Sequence, residues 1–300
     1  MKFNEQSIIR IVTNISFGIF CFVLFSYLVF PYQKLINVLI SRLEARTPFL
    51  IQVNSARPYL FPGISLKGVQ VSVRSEKGKT SEGNKETVNI PVLNIDNLKV
   101  RFHLFSLLRG GIAFTLESKL ASGQIKIAYF RSSDRYSVRG KWEGILMEGI
   151  PYLKSKLDIS LIGNFSGEVD LKGTPANLQK GDGAIHFKIA AGGIRNATLM
   201  KLITLPDMTF DRFEGKLVLK EGKLVLDQVR LEGNDLQGEA TGTILPRRPL
   251  GTSTLSVNLK IKPSPGIDTQ LGFLFNSLLF HKDSQGFYNR VLTGVLASPR

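Results

Sequence analysis

The sequence predicts a mainly β protein: an N-terminal transmembrane helix followed by a large curved or folded-over antiparallel β-sheet domain with a few short helices. Three patterns along the chain indicate this fold class. Residues 11–30 form one uncharged apolar run, residues 31–47 carry apolar side chains at helical spacing, and most of the remaining chain alternates apolar with polar residues. The 300 residues, 43% of them hydrophobic, are enough for a sizeable core and exclude a disordered chain.

The uncharged run reads IVTNISFGIFCFVLFSYLVF. About 20 mainly apolar residues in a helix match a hydrocarbon core of about 30 Å, so we predict a transmembrane anchor at residues 11–30. A cleaved secretory signal is the competing interpretation, but the run is longer than a usual signal core and no small-x-small cleavage site follows it. The side chains on which the anchor prediction depends are Ile11, Phe17, Phe20, Phe22, Leu24, Leu28 and Phe30.

A second helix is indicated directly after the anchor. Leu35, Ile36, Leu39, Ile40 and Leu43 recur at helical spacing, with polar and charged residues between them. We therefore predict a juxtamembrane amphipathic helix over residues 31–47, which either lies on the lipid headgroups or caps the following domain.

Alternation with period two indicates β-strands throughout residues 48–300. Val69, Val71 and Val73 alternate with polar neighbours, and similar runs recur as far as the C-terminus. We predict an antiparallel sheet, because so many strands have one apolar face and one solvent-exposed face. This sheet is either a closed sandwich or an open curved sheet. The segment 221–223, Glu-Gly-Lys between two alternating runs, predicts a hairpin.

Only a few helices are predicted to interrupt this β-rich domain. Their ranges are Phe105–Leu108, Ile150–Lys156, Asn196–Ile203 and Gly272–Phe280. The polar segment Ser75–Thr87 has little capacity to bury anything, and we predict that it is a solvated loop between strands.

Positive charge is concentrated in one part of the chain. The 39 Lys and Arg residues outnumber the 24 Asp and Glu residues, which gives a net charge of +15 and predicts attraction to an anionic partner. The aromatic residues of the basic region fit the apolar faces of strands, so nucleic acid is not a predicted partner. The basic side chains either contact membrane phospholipid or a protein partner, or form a solvated face. This candidate contact face comprises Lys99, Arg101, Arg109, Lys126, Arg131, Arg135, Arg139 and Lys141.

No catalytic, cofactor-binding or metal-binding motif is visible. His103, His186 and His281 lie far apart and lack the spacing of a metal site. The single cysteine, Cys21, lies in the apolar run, and the segment Gly78–Thr80 lacks the earlier glycine that a phosphate-binding loop requires. We therefore predict a protein that is not an enzyme and binds no cofactor.

Several short segments together resemble one protein family. Their order and spacing along nearly the whole chain carry the resemblance, although none of them is diagnostic alone. The segments are Phe30–Tyr32, Pro58–Val69, Ser106–Gly110, Leu205–Asp207, Gly233–Leu236, Gly286–Tyr288, Gly294–Leu296 and Pro299. In these the chain resembles the type II secretion system protein N (GspN) family, in the longer form found in spirochaetes and related bacteria.

The resemblance implies a single-pass bacterial inner-membrane protein. In that arrangement residues 1–10 form a short cytoplasmic tail, and residues 48–300 form a periplasmic β-rich domain. The implied function is that of a non-enzymatic accessory or structural component of a type II secretion system, with inner-membrane secretion components as partners. A wider resemblance, to AsmA-like envelope proteins, implies an alternative function: binding or transfer of lipid along an apolar groove.

The anchor can be tested by placing a charge at its centre. We expect Leu24→Arg to cost about 3 kcal/mol of insertion free energy, because the hydrocarbon core solvates a guanidinium poorly. The amount of protein left in the membrane fraction after alkaline carbonate extraction should fall. Unchanged retention would show that residues 11–30 are not the anchor.

Overall fold

The computed structural model describes residues 5–45, 47, 49–76, 87–151, 160–175, 177–199, 203–247, 250–277, 280–296 and 298–299. Four α-helices lie within these residues, and short 3-10 helices occupy Met147–Gly149 and Leu250–Thr252. The α-helices are α1 (Glu5–Val29), α2 (Tyr32–Glu44), α3 (Leu104–Leu108) and α4 (Pro265–Ser277).

The strands follow α2 and continue to the C-terminus. They are β1 (Phe49–Pro58), β2 (Gly63–Glu76), β3 (Thr87–Phe102), β4 (Ile112–Leu120), β5 (Gly123–Arg131), β6 (Tyr136–Leu146), β7 (Ser160–Thr174), β8 (Asn177–Arg195), β9 (Thr198–Leu199), β10 (Ile203–Thr204), β11 (Met208–Lys220), β12 (Lys223–Glu232), β13 (Leu236–Leu245), β14 (Thr254–Pro263), β15 (His281–Lys282), β16 (Tyr288–Val295) and β17 (Ser298–Pro299).

A single antiparallel sheet contains 15 of these strands, while β9 and β10 form a separate two-stranded sheet. From β1 to β8, and from β11 to β14, each strand lies beside its neighbour in sequence, and β16 follows β14 with β15 and β17 on its outer side. The sheet does not close. The prediction of a mainly β protein with one large antiparallel sheet and few helices is confirmed, and the sheet is open rather than a sandwich.

The register gives the sheet one apolar face and one polar face. Residues directly opposite each other across an antiparallel pair lie on the same face, so a strand's alternation carries over to its neighbour. On successive strands the apolar face carries Val69, Leu98, Leu116, Ile127, Val138, Val169, Ile185, Leu217, Leu226, Ala240 and Leu259. The polar face carries Glu117, Lys126, Lys141, Glu168, His186, Lys216 and Asp227, which oppose one another in that order across seven strands.

Irregular steps in the ladder bend several strands without exchanging the two faces. One shift lies between Trp142 and Ile145, and another lies between Leu226 and Val229. At the second step Gln228 adopts a positive φ of 54°. Each bulge inserts a residue, so apolar side chains on both sides of it remain on the apolar face while the local twist increases.

Helix α2 packs on the N-terminal part of the apolar face. Ile36 forms a buried cluster with Leu66 and Val69 of β2. The same helix covers the outer edge of β1, because the Ala56 amide donates to Gln33 Oε1 at 2.8 Å and the Ile51 amide donates to Glu44 Oε1 at 2.8 Å. These contacts satisfy edge groups that would otherwise pair with another chain. Of the two placements expected for this helix, the structure shows the cap.

Helix α4 contacts strands from β11, in the middle of the strand order, to β16. Its Ile267, Leu271 and Leu274 form a buried cluster with Met208 of β11. The Tyr288 hydroxyl of β16 donates to Asp268 Oδ1 at 2.7 Å, and the Lys282 ammonium donates to Asp268 Oδ2. The hydrogen bonds from Lys282 and then Tyr288 lower the pKa of Asp268. The α4 cluster and the α2 cluster are the two buried hydrophobic clusters among the described residues.

Two of the predicted helices differ from the structure. Asn196–Ile203 is predicted to be helical, but β9 and β10 pair there as antiparallel strands, and residues 200–202 lie outside the described residues. Asn196 has a positive φ of 49° and its amide donates to Asp207 Oδ1, which closes this segment as a turn. The helix expected at Gly272–Phe280 begins earlier, at Pro265. Most of Ile150–Lys156, and the middle of the predicted loop Ser75–Thr87, lie outside the described residues.

Among the described residues, no single helix is both long and apolar enough to cross a bilayer. Thr13–Val29 and Tyr32–Glu44, which meet at 60°, satisfy the length and composition criteria only as a pair.

The packing of α4 can be tested by truncating its central side chain. Leu271 is 4% exposed, so Leu271→Ala should leave a cavity and destabilise the docked helix by about 2 to 5 kcal/mol. Hydrogen exchange of the α4 amides should become faster. Gln270→Ala, which changes an exposed neighbour on the same helix, is the matched control. Equal protection in both variants would contradict the assigned packing.

Candidate functional site

The apolar face between the two helices is the most extensive unusual surface of the molecule. From β1 to β16 the sheet extends about 60 Å, and strands of about nine residues are about 30 Å long, so the whole face, including the parts under α2 and α4, covers on the order of 1,800 Å². Its central residues, such as Ile127 and Ile185, are only partly buried. Monomeric soluble proteins rarely expose apolar patches of more than a few hundred Å².

A second layer of structure would bury the face, and the described residues supply one only where α2 and α4 lie.

Aromatic side chains form a row across the apolar face. Phe102 contacts Phe114 at 6.4 Å between ring centroids, and Phe114 contacts Tyr129 at 5.0 Å. Farther along the sheet, Trp142 contacts Phe165 at 5.6 Å. A side chain at position 167, beside Trp142, would collide with the indole ring, so Gly167 leaves the space that the ring occupies.

An apolar cavity lies where this row meets α1. It has a volume of about 410 Å³ and is lined by Phe22, Val23, Ser26, Tyr27, Phe30, Tyr32, Phe61, Pro62, Gly63, Ile64 and Phe102. Phe102 lines this cavity and also begins the aromatic row, so the cavity lies next to the apolar face.

Hydrogen bonds attach the end of α1 to the β1–β2 turn. The Tyr27 hydroxyl donates to the Gly63 carbonyl at 2.5 Å and accepts from the Gly63 amide at 3.1 Å. The Tyr32 hydroxyl donates to the Tyr27 carbonyl at 2.6 Å. Burial, followed by the neighbouring Tyr27, raises the pKa of Tyr32 to about 12. This junction holds α1 at one defined end of the sheet.

The predicted anchor residues lie on or directly after α1. Their side chains have few protein neighbours: Phe22 is 73% exposed, Phe17 66%, Phe20 63%, Leu28 58%, Phe30 46% and Leu24 44%. The Ile11 backbone is helical, and its side chain lies outside the described part of the chain.

The predicted basic contact face is not one surface. On the polar face, Lys126 pairs with Glu117 at 3.1 Å, Arg139 pairs with Asp170 at 3.5 Å and Lys141 pairs with Glu143 at 2.5 Å. These exposed pairs contribute about 0 to 1 kcal/mol each, so they form an ordinary solvated surface. Lys99 lies over the Tyr59 ring at 4.7 Å.

The other four basic residues gather at the end of the sheet where α1 attaches. Arg101 and Arg109 flank α3, and Arg131 and Arg135 flank the β5–β6 turn. Arg135 contacts the Phe130 ring at 5.4 Å. None of the four has an ion-pair partner among the residues that the structure describes.

The three histidines do not converge. His103 Nε2 lies 2.9 Å from Thr115 Oγ1, His186 is on the polar face, and His281 is exposed on β15. In the described part of the chain, no group of three His, Cys, Asp or Glu side chains is arranged to hold a metal ion.

Sequence reasoning missed the cavity and the α1 junction. Tyr27 and Phe61 are far apart in sequence, and their ring contact at 4.9 Å between centroids depends on where α1 meets the first hairpin. In the sequence, the aromatic and proline residues around Phe30 and Phe61 could have indicated this contact. Both segments are among those in which the chain resembles the family named above.

Comparison with known protein families, with curated proteins and with solved structures finds no match to this chain.

Proposed function

We propose that this chain is a non-enzymatic lipid-binding protein of the bacterial envelope, anchored in the inner membrane by residues 11–30, with its β-rich domain in the periplasm. The apolar face of the sheet binds the acyl chains of phospholipid. The observation that carries the proposal is the size of the apolar face that α2 and α4 leave uncovered among the described residues.

The dimensions of the face suit acyl chains. Half of a hydrocarbon core of about 30 Å is about 15 Å, which is the length of one leaflet's chains and about half of a strand's length here. Acyl chains laid against the face remove apolar surface from water, at about 25 cal/mol for each Å². Headgroups then remain in water at the margins of the sheet.

The cavity beside α1 supports the same function. Its lining is apolar, it lies at the end of the proposed anchor, and it shares Phe102 with the aromatic row. An acyl chain leaving the bilayer along α1 therefore reaches the face without crossing the polar side of the sheet.

Photocrosslinking from adjacent residues on opposite faces tests this function. With p-benzoylphenylalanine at Ile127 or Ile185 of the full chain in native membranes, we expect covalent phospholipid adducts, detected by mass spectrometry. The matched controls are Lys126 and His186, whose side chains point from the same strands to the polar face. These controls should give little or no lipid adduct.

Equal lipid labelling on both faces would indicate non-specific contact and would contradict the proposal. Lipid adducts at Leu24 of α1 combined with none at Ile127 and Ile185 would retain the anchor and reject the binding face.

A second candidate function is docking within a type II secretion system, as the family resemblance implies. The observation that favours it is the outer edge of β16, where β15 and β17 pair only with the ends of the strand. Val291 beside this edge is 59% exposed and Val295 is 40% exposed. Open strand edges with apolar neighbours pair readily with a strand of another protein.

Co-purification in mild detergent tests the docking function. We expect inner-membrane secretion components to be recovered with the unmodified chain and lost with Val291→Lys, because a charge beside an edge strand opposes strand addition. The control is Val225→Lys, which changes a 36% exposed valine on β12 inside the sheet. Repeated absence of secretion components from the unmodified chain would count against this function.

A further inference from the structure

Helix α3 presents the most exposed large apolar side chains of the described sheet domain. Phe105 is 82% exposed, Leu108 is 85% exposed and Leu107 is 57% exposed. In the nearby β1–β2 turn, Leu60 is 59% exposed and Phe61 is 56% exposed. These five residues are called the apolar rim. Exposed apolar clusters of this kind mark surfaces that contact a partner or a membrane.

The fold holds the apolar rim in place. Ser106 Oγ donates to the His103 carbonyl at 2.6 Å and accepts from the Ala113 amide at 3.0 Å. The His103 amide also donates to the Ala113 carbonyl at 3.0 Å. These bonds tie α3 to the start of β4, so Phe105 and Leu108 are directed away from the protein by a defined turn.

The apolar rim lies at the end of the sheet where α1 attaches. Turns of an antiparallel meander alternate between its two ends, and the β1–β2 turn and α3 both lie at the same end. The Phe102 amide donates to the Pro62 carbonyl at 2.9 Å, which joins the two turns directly. Tyr27 binds Gly63 in the first of them. A bilayer that contains α1 therefore lies next to the apolar rim.

The charges around the apolar rim complement an anionic lipid surface. Arg101, Arg109, Arg131 and Arg135 lie at this end of the sheet, and the acidic group among them, Asp134, bonds to Ser132 Oγ. Apolar side chains flanked by arginine and aromatic residues are typical of segments at the interface between headgroups and acyl chains. A protein interface of the same composition would need acidic groups opposite these arginines, whereas lipid phosphates supply them directly.

We propose that the apolar rim inserts into the leaflet next to the β-rich domain, with the four arginines at the level of the phosphates. Apolar side chains of interfacial segments lie about 5 to 10 Å into the boundary between headgroups and acyl chains, so only the side chains of the apolar rim need to leave water. The sheet then has two attachments to the bilayer, α1 and the apolar rim, and its cavity opens between them. This inference rests on the anchor given under the proposed function.

Depth-dependent quenching on the full chain tests the insertion. In a Cys21→Ser background, Leu108→Cys is labelled with the fluorophore NBD and the protein is placed in nanodiscs containing phosphatidylglycerol and phosphatidylcholine. We expect blue-shifted emission and at least twofold quenching by lipids carrying a doxyl group on the acyl chain. Lys188→Cys, an exposed site on the polar face, is the matched control and should show water-like emission without lipid quenching.

Water-like emission at position 108 would overturn the insertion. Blue-shifted emission without lipid quenching would also overturn it, because the rim would then be covered by protein. A label introduced by Leu24→Cys separates this failure from failure of the anchor: if position 24 is quenched and position 108 is not, only the insertion fails. If position 24 is also unquenched, the anchor fails as well.

A change of charge provides the second test. Arg101→Gln combined with Arg109→Gln should lower the lipid quenching at position 108 by at least half in nanodiscs containing phosphatidylglycerol, because phosphate contacts are lost. Lys126→Gln combined with Arg139→Gln removes the same charge from the polar face and should leave the quenching unchanged. An equal effect of both pairs would overturn the role given to the rim arginines.

Discussion

The whole structure depends on one constraint, the in-register pairing of each strand with the next strand in the chain. Side chains alternate in a strand with a period of two, so one residue of slippage would move an entire row to the opposite face. Partners such as Leu116 and Ile127, or Val169 and Ile185, show that the register preserves side-chain parity from strand to strand. The continuous apolar face is therefore a property of the pairing rather than of any single strand.

An open sheet exposes strand edges and apolar surface, and α2 and α4 cover different parts of them. At the N-terminal end α2 covers apolar residues of β2, and its Gln33 and Glu44 accept hydrogen bonds from edge amides of β1. Helix α4 covers the apolar face around Met208 of β11, and two very short strands flank the ends of β16 at the C-terminal edge. Neither of the two helix clusters includes apolar residues of β4 to β7, which is where the proposed lipid ligand has room.

The strand pattern could be predicted because geometry imposes it locally, and so the alternation around Val69 and the hairpin at Glu221 required no tertiary information. Whether a second layer covers the apolar side depends on long-range packing, and alternation is the same in a sandwich and in an open sheet. The prediction was wrong for the segment after Asn196. Its apolar residues recur at a spacing that suits a helix, but the hydrogen bond from the Asn196 amide to Asp207 closes a turn there. The basic residues between Lys99 and Lys141 are neighbours in sequence, yet alternation and turns distribute them between a solvated face and one end of the sheet.

Sequential pairing also makes the molecule nearly one-dimensional. In such an array a hairpin interacts chiefly with the hairpins before and after it, as repeats do in a solenoid. If one hairpin in the middle of the sheet were removed or added, the strands brought together could still pair in the same antiparallel way. The length of the apolar face would change by about 9.6 Å, twice the spacing between strands. A sheet of this construction can lengthen during evolution by duplicating hairpins while its helical ends stay unchanged.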